Sequence, residues 1–152
     1  MQFSDLGLSS ELSRAVADLG YKTPTTIQEK SIPVVLMGRD ILGSAQTGTG
    51  KTASFTLPMI DILASGRAKA RLPRTLILAP TRELAAQVAE SFKTFSANNK
   101  LSMALLIGGV SFADQNAALS KGVDVLIATP GRLLDHFERG KVLLNDVKIL
   151  VI

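Results

Sequence analysis

Short apolar runs alternate with amphipathic segments along most of the chain. The runs are nearly continuous, which is typical of strands buried on both faces of a parallel sheet. The pattern predicts strands at residues 40–44, 75–79, 102–107, 123–128 and 147–152. The segments between them have helical periodicity and predict helices at residues 51–64, 82–97, 112–119 and 131–139. This alternation predicts an α/β domain with a parallel sheet flanked by helices.

The N-terminal residues precede this alternation. Ser9 is predicted to cap a first helix that ends at Gly20. A second helix is predicted over residues 25–36. We therefore divide the chain into N-terminal helices at residues 1–37 and an α/β part at residues 38–152, which together form a single domain.

The composition is that of one globular domain. Of the 152 residues, 46% are hydrophobic and 20% are charged, which is sufficient for a buried core. No apolar stretch reaches the roughly 18 residues of a membrane span. The first residues show neither the basic nor the apolar region of a secretory signal. The absence of cysteine excludes disulfides, cysteine zinc sites and thiol catalysis. We therefore expect a cytoplasmic protein without membrane contact.

The charge balance favours a polyanionic partner only weakly. The net charge is +4 and the isoelectric point is about 9.6, and lysine and arginine that neutralise phosphates release counterions. The basic residues are dispersed, apart from one cluster of Arg67, Lys69, Arg71 and Arg74. We interpret that cluster as a solvated loop ahead of a strand.

A glycine-rich segment between the first predicted strand and the next helix has the pattern of a phosphate-binding loop. It consists of Ala45, Gln46, Thr47, Gly48, Thr49, Gly50, Lys51 and Thr52. Small residues let backbone N–H groups surround phosphates, and the following helix adds its positive end. We predict that Lys51 reaches the β- and γ-phosphates and that the Thr52 hydroxyl ligates Mg²⁺. The alternative is a glycine-rich turn with an exposed lysine, and Ala45 replaces the glycine of the usual pattern.

Gln28, upstream of this loop, has two interpretations. Thr25 and Gln28 have the spacing of a capping box, in which the glutamine reaches back to the backbone N–H of the cap residue. A glutamine amide also matches the N6 donor and N7 acceptor of adenine, whereas guanine presents an acceptor at the corresponding edge. The residues alone leave both roles open.

These two segments resemble the Q motif and motif I of bacterial DEAD-box RNA helicases. The resemblance implies a RecA-like P-loop NTPase domain that binds ATP and Mg²⁺. It also implies an aromatic residue that stacks on adenine, and Phe3 lies 17 residues before Gly20; a hydrophobic staple for the first helix is the alternative. Thr26 stands where the family often has proline. The resemblance assigns the following upstream residues to the nucleotide: Phe3, Tyr21, Lys22, Thr23 and Gln28.

The resemblance continues after three later strands, with motif Ia, a glycine pair and motif Ib. Its RNA-binding residues are Pro80, Thr81, Arg82, Gly108, Gly109, Thr129, Pro130, Gly131 and Arg132. Hydroxyls, glycine amides and arginines suit phosphates, and no aromatic residue is available there for base stacking. We therefore expect sequence-independent binding of single-stranded or short duplex RNA. The alternatives are a helix start at residues 129–132 and an ion pair between Arg82 and Glu83.

No predicted strand is followed by the acidic residue that a P-loop ATPase needs for Mg²⁺ and water. The resemblance implies that the chain ends just before an Asp-Glu-Ala-Asp motif. It would then be the first part of a truncated RecA-like domain, and the parent protein would carry a second one. We hypothesise that this chain binds adenine nucleotide but neither hydrolyses ATP nor unwinds RNA.

Two further functions compete with that of a helicase segment, namely a bare nucleotide-binding module and another P-loop enzyme such as a small-molecule kinase. The kinase leaves the Q motif unexplained, and no acceptor-binding lid is evident. His136, the only histidine, is interpreted as a helix-surface residue and not as a ligand or base.

Overall fold

The structure is a computed structural model, and it describes residues 1–45, 50–65 and 72–152. The described residues form two compact units. The first comprises those within residues 1–65 and 91–100, and the second those within residues 72–90 and 101–152.

The first unit is helical. It contains a 3₁₀ turn at Phe3–Leu6 and helices α1 (Ser10–Asp18), α2 (Thr26–Leu36) and α3 (Lys51–Ser65). Ser9 caps α1 as predicted: its Oγ accepts a hydrogen bond from Leu12 N at 3.2 Å and donates one to Asp61 Oδ1 at 2.7 Å. Since Asp61 lies on α3, the cap also fastens the start of α1 to that helix. Gly20 follows the end of α1 with φ of 89°, as expected for a helix C-terminus.

The second unit is built on a four-stranded parallel sheet. Its strands are β1 (Thr75–Leu78), β2 (Met103–Leu106), β3 (Val125–Ala128) and β4 (Ile149–Val151), in the order β2-β3-β1-β4. Helix α4 (Arg82–Phe95) begins in this unit, which also contains α5 (Phe112–Ser120) and α6 (Pro130–Glu138). The core cluster consists of Leu76, Ala104, Leu106, Val123, Leu126, Ala128, Leu133 and Val142. Four predicted strands and the predicted helices are thus confirmed, with shifts of one or two residues at their ends.

The strand predicted at residues 40–44 is wrong. Residues 39–45 have no regular secondary structure, and Leu42 is 99% exposed. An apolar run becomes a strand only where a neighbouring strand accepts its backbone hydrogen bonds and a core covers its side chains.

Among the described residues, no helix has the length and apolar character that crossing a membrane requires.

The Asp124 carboxylate holds the starts of three neighbouring segments together. Its Oδ1 accepts a hydrogen bond from Arg74 Nη2 at 2.8 Å, and its Oδ2 accepts one from Ser102 N at 3.0 Å. The Arg74 and Asp124 side chains are each only 13% exposed. Arg74 is therefore not the solvated loop residue that the sequence suggested. The other three members of that basic cluster lie outside the described residues: Arg67, Lys69 and Arg71.

We predict that Asp124→Ala lowers the free energy of unfolding by about 2 kcal/mol, because it leaves the Arg74 guanidinium partly buried without its carboxylate. Urea denaturation followed by circular dichroism measures the change. Glu138→Ala, at an exposed position near the end of α6, is the control and should change stability by less than about 0.5 kcal/mol. Equal effects of the two substitutions would contradict the assignment.

Candidate nucleotide site and phosphate-binding loops

Gln28 connects the start of α2 to the residue that precedes α3. The capping box is present: Gln28 N donates to Thr25 Oγ1 at 3.4 Å, and Thr25 N donates to Gln28 Oε1 at 3.0 Å. In addition, Gln28 Nε2 donates to Gly50 O at 3.2 Å. Only 4% of the Gln28 surface is exposed. The capping role is therefore confirmed, and the same amide reaches the end of the predicted phosphate loop.

Gly50 occupies a position that only glycine fits. Its φ is +84°, and a Cβ built there would lie 2.2 Å from Gln28 Nε2 and 3.3 Å from Thr25 Oγ1. The Gly50 carbonyl also accepts a hydrogen bond from Ser54 N at 3.2 Å, so the residue begins the hydrogen-bond pattern of α3. The close approach of the Gln28 side-chain amide to the Gly50 backbone therefore depends on the absence of a side chain at position 50.

The N-terminus of α3 has the properties of an anion site. Lys51 is exposed in the first turn of the helix and Thr52 is half-buried beside it. The first turn of a helix presents unpaired backbone N–H groups and the positive end of the helix dipole. Ala45 is half-buried, whereas Gln46, Thr47, Gly48 and Thr49 lie outside the described residues.

A cavity of about 560 Å³ lies beside the start of α2. Its lining residues are Pro24, Thr25, Thr26, Ile27, Lys30, Ser44 and Ala45. The volume lies within the range of small-molecule sites. Apart from Ala45, none of these residues belongs to the predicted nucleotide contacts. The sequence signals for them were the Q motif around Gln28 and, for Ser44, its position next to the predicted phosphate loop.

The other predicted nucleotide residues have different environments. Phe3 is 5% exposed and belongs to the buried core of the first unit, as expected for its alternative role in packing. Tyr21 is half-exposed, and its ring centroid lies 5.8 Å from that of Phe95. Lys22 and Thr23 are exposed. Gln28 and Gly50 are thus the predicted residues that the structure brings into direct contact.

The residues at the start of α3 fit Mg²⁺ held mainly by phosphate oxygens. Thr52 offers one hydroxyl oxygen, a ligand that suits this cation, and Mg²⁺ commonly keeps several waters and substrate phosphates. Among the described residues, no cluster of three or more histidine or acidic side chains could hold a metal ion.

In the second unit, the predicted phosphate-binding residues follow three adjacent strands. Pro80, Thr81 and Arg82 come after β1, the glycine pair after β2, and residues 129–132 after β3. Because β2, β3 and β1 are parallel neighbours, their carboxyl ends lie along the same edge of the sheet. Most of these residues are exposed, with Gly108, Thr129 and Arg132 half-buried.

Arg82 lies over the glycine pair. Its Nη1 donates to Gly108 O at 3.4 Å, and a Cβ on Gly109 would come within 2.6 Å of the same nitrogen. Gly109 also has φ of +80°. Among the described residues, the predicted alternative of an Arg82–Glu83 ion pair is not formed. The contact with the glycine loop replaces it.

Arg132 is held by α5 and by the loop that precedes it. Its Nε donates to Gln115 Oε1 at 3.0 Å, its Nη2 donates to Val110 O, and its Cζ lies 3.5 Å from the centroid of the Phe112 ring. The predicted helix start is also present, since Thr129 is the N-cap residue of α6 and Pro130 its first residue. Arg132 therefore contacts the loop through Val110 and helix α5 through Gln115 and Phe112.

The interpretation of His136 as a helix-surface residue is wrong. The side chain is fully buried, and its Nε2 lies 2.6 Å from Gln115 Oε1. His136 and Leu133 are spaced three residues apart on the buried face of α6, whereas Leu134 and Phe137 are exposed. Burial, together with the Arg132 and Arg139 guanidinium groups, lowers the pKa of His136 below its ordinary value of 6.5.

Comparison with known proteins identifies related chains. A model of the DEAD/DEAH box helicase family matches residues 25–152. The chain is 45% identical to an ATP-dependent RNA helicase DeaD of Mycobacterium tuberculosis, over 99% of this chain and 26% of that protein. It is 46% identical to the DeaD helicase of Escherichia coli, over 99% of this chain and 24% of that protein. It therefore spans about a quarter of the length of these curated relatives.

A solved structure has the same fold. The crystal structure of a DEAD box protein from the hyperthermophile Methanococcus jannaschii matches with a TM-score of 0.90 and 39% sequence identity. The match covers 99% of this chain and 40% of that one. The predicted α/β, RecA-like fold class is thereby confirmed.

We predict that Gly109→Ala lowers the free energy of unfolding by about 1 to 2 kcal/mol, because alanine disfavours the positive φ and its Cβ would displace Arg82. Gly108→Ala is the matched control, since a Cβ there meets no atom within 4 Å. Urea denaturation of both variants measures the difference. A loss in the Gly108 variant as large as in the Gly109 variant would contradict the assignment.

Proposed function

The chain belongs to the DEAD/DEAH box helicase family, and on this premise we propose that it binds an adenine nucleotide and the backbone of RNA. The observation that carries the nucleotide proposal is the contact of Gln28 with Thr25 N and Gly50 O. This contact joins a side chain suited to adenine with the end of a loop suited to phosphate. The base would thus contact Gln28 and the phosphates the start of α3, two parts of the first unit that the hydrogen bond to Gly50 connects.

The hydrogen-bonding capacity of Gln28 supports adenine recognition. A glutamine amide has two acceptor sites on oxygen and two N–H donors on nitrogen. Thr25 N and Gly50 O use one of each. One acceptor and one donor remain, and they match the N6 donor and the N7 acceptor of adenine. Capping and base recognition are therefore compatible roles of the same amide.

The phosphates would lie at the start of α3. Gly50 and the first turn of the helix present backbone N–H groups, and the exposed Lys51 supplies a positive charge. The Thr52 hydroxyl would be a ligand of Mg²⁺, which would help to neutralise the charge of the phosphates. Lys51 and Thr52 are the residues to which we assign the catalytic contribution of this chain.

RNA binding is assigned to the loops that follow β1, β2 and β3 in the second unit. Arg82 and Arg132 bring positive charge there, while Gly108 and Gly109 leave backbone groups accessible. Such groups contact phosphates and sugars without reading the bases. Arg132 already donates to Gln115 and Val110, so it would bind RNA with its remaining N–H groups and by shaping the loop.

For the whole protein, we propose an ATP-dependent RNA helicase of the cytoplasm. The curated relatives are named ATP-dependent RNA helicases. In such a protein, a second RecA-like domain would complete the ATP and RNA sites, and ATP hydrolysis would be coupled to separation of short RNA duplexes or to remodelling of RNA–protein complexes.

Adenine specificity is tested by measuring ATP and GTP binding with isothermal titration calorimetry. The chain should prefer ATP, and Gln28→Ala should weaken ATP binding about tenfold or more, because two hydrogen bonds to the base are lost. Thr25→Ala is the matched control: it removes the capping hydroxyl but keeps the amide, so it should lower stability and leave the preference for ATP intact. Equal affinities of the unaltered chain for ATP and GTP would overturn the adenine proposal.

A second prediction concerns hydrolysis by these 152 residues alone. The residues that directly follow the described strands are Ala79, Ile107, Thr129 and Ile152, none of which is acidic. Without a carboxylate to hold Mg²⁺ and orient water, we expect nucleotide binding without turnover. Phosphate release is measured with and without RNA, with Lys51→Ala as the background. RNA-stimulated release above that background would contradict the prediction.

A further inference from the structure

We propose that His136 is a positioning residue for the RNA-binding loops, and that it acts through Gln115 on Arg132. It lies outside the residues assigned to RNA. The inference rests on the proposed RNA-binding function of Arg132 and the glycine pair. The His136 side chain is fully buried, and its Nε2 lies 2.6 Å from Gln115 Oε1.

The hydrogen bonds of Gln115 fix the orientation of its amide. Its Nε2 lies 2.8 Å from Ile107 O, a carbonyl that can only accept. The amide oxygen must therefore face the other way, where it meets Arg132 Nε at 3.0 Å and His136 Nε2 at 2.6 Å. Gln115 is only 4% exposed, so water does not readily replace these partners.

This arrangement also fixes the tautomer of His136. An amide oxygen donates no hydrogen bond, so the close contact requires a proton on Nε2 of the imidazole. The neutral ring then has a bare Nδ1, and among the described residues this buried atom has no hydrogen-bond partner. The neutral ring thus makes the one hydrogen bond that its described surroundings accept, and a second proton on Nδ1 would have no acceptor there.

A single amide connects three parts of the second unit. Through Ile107 it holds the residue between β2 and the glycine pair, through Arg132 it holds the start of α6, and through His136 it holds the buried face of α6. Arg132 in turn donates to Val110 O, directly after the glycine pair. The glycine pair is therefore held on both sides, at Ile107 by Gln115 itself and at Val110 by Arg132, which Gln115 positions.

Protonation of His136 would disturb this network. A proton on Nδ1 would have no acceptor, and it would add a cation beside Arg132 and Arg139, whose guanidinium groups lie 3.5 and 3.8 Å from the centroid of the Phe112 ring. The charged groups acting on His136 are Arg132, Arg139 and Asp135, and of these only Asp135 favours the proton. Facing them, α5 contributes Gln115 and Phe112, which do not titrate.

Because burial and the two arginines lower the pKa of His136, the ring is neutral at neutral pH, and it gains its charge beside the two arginines as the pH falls through that lowered pKa. His136 is the only histidine and the chain has no cysteine. It is therefore the side chain whose ordinary pKa lies closest to neutrality. RNA affinity should fall in the same direction, since the loops lose their support.

The test compares the chain with His136→Gln, which can place an N–H near the position of Nε2 but does not titrate. His136→Leu removes that donor, and Leu134→Gln places the same new residue at an exposed site on the same helix. Binding of a labelled polyuridylate RNA, whose bases do not titrate in this range, is measured by fluorescence anisotropy from about pH 7.5 down to about pH 4.5. Each variant is used only under conditions in which circular dichroism shows it folded.

The unaltered chain and Leu134→Gln should lose RNA affinity about fivefold or more as the pH falls, whereas His136→Gln should bind with nearly constant affinity. His136→Leu should bind about fivefold more weakly than the unaltered chain at neutral pH. An unaltered pH profile in His136→Gln would overturn the proposal, because a merely structural histidine would change stability and leave the profile of the folded protein unchanged.

A second readout does not depend on RNA. The ¹H–¹⁵N signal of Arg132 Nε, assigned by its loss in Arg132→Lys, reports the hydrogen bond to Gln115 directly. It should move with pH in the unaltered chain and stay fixed in His136→Gln. If the RNA does not bind at any pH, the proposed RNA-binding function fails, and this signal alone decides the role of His136. A signal that is independent of pH in both proteins would overturn that role.

Discussion

The side chain of Gln28 joins the start of α2 to the residue that precedes α3 through the hydrogen bond of 3.2 Å from its Nε2 to Gly50 O. The candidate nucleotide site depends on this contact. It requires glycine at position 50, because a Cβ would lie 2.2 Å from the amide nitrogen. It also leaves one donor and one acceptor of the amide for a base. Adenine recognition and the start of α3 are thereby linked through one buried group.

Gln115 has the corresponding role in the second unit. Its amide is also buried, and it also connects helices to the ends of a glycine-containing loop. A glutamine suits this task because it carries a donor and an acceptor at the end of an uncharged side chain. Burial of such a group is tolerated only when its hydrogen bonds are made, so each amide fixes the geometry of all its partners together.

The fold could largely be predicted from the sequence, because strands buried on both faces read as continuous apolar runs and the capping residues Ser9 and Thr25 mark helix starts. Residues 40–44 show the limit of that reasoning, since an apolar run does not reveal whether a neighbouring strand is available. The chemistry of Gln28 was visible in its spacing from Thr25, but its contact with Gly50 joins positions 22 residues apart. The burial of His136 is not evident from the sequence, because a polar side chain enters the buried face of α6 only where a partner such as Gln115 accepts its Nε2–H.

The most direct test of the central claim is a titration of ADP into ¹⁵N-labelled protein, observed at the side-chain NH₂ group of Gln28 and at the backbone amides of Gly50 and Lys51. We predict saturable shifts of all these signals with ADP. GDP should leave the Gln28 side-chain signal unchanged, because guanine cannot donate at the position where adenine N6 does. A Gln28 side-chain signal that stays unchanged with ADP while Gly50 shifts, or that shifts equally with both nucleotides, would contradict the claim that this amide recognises the base.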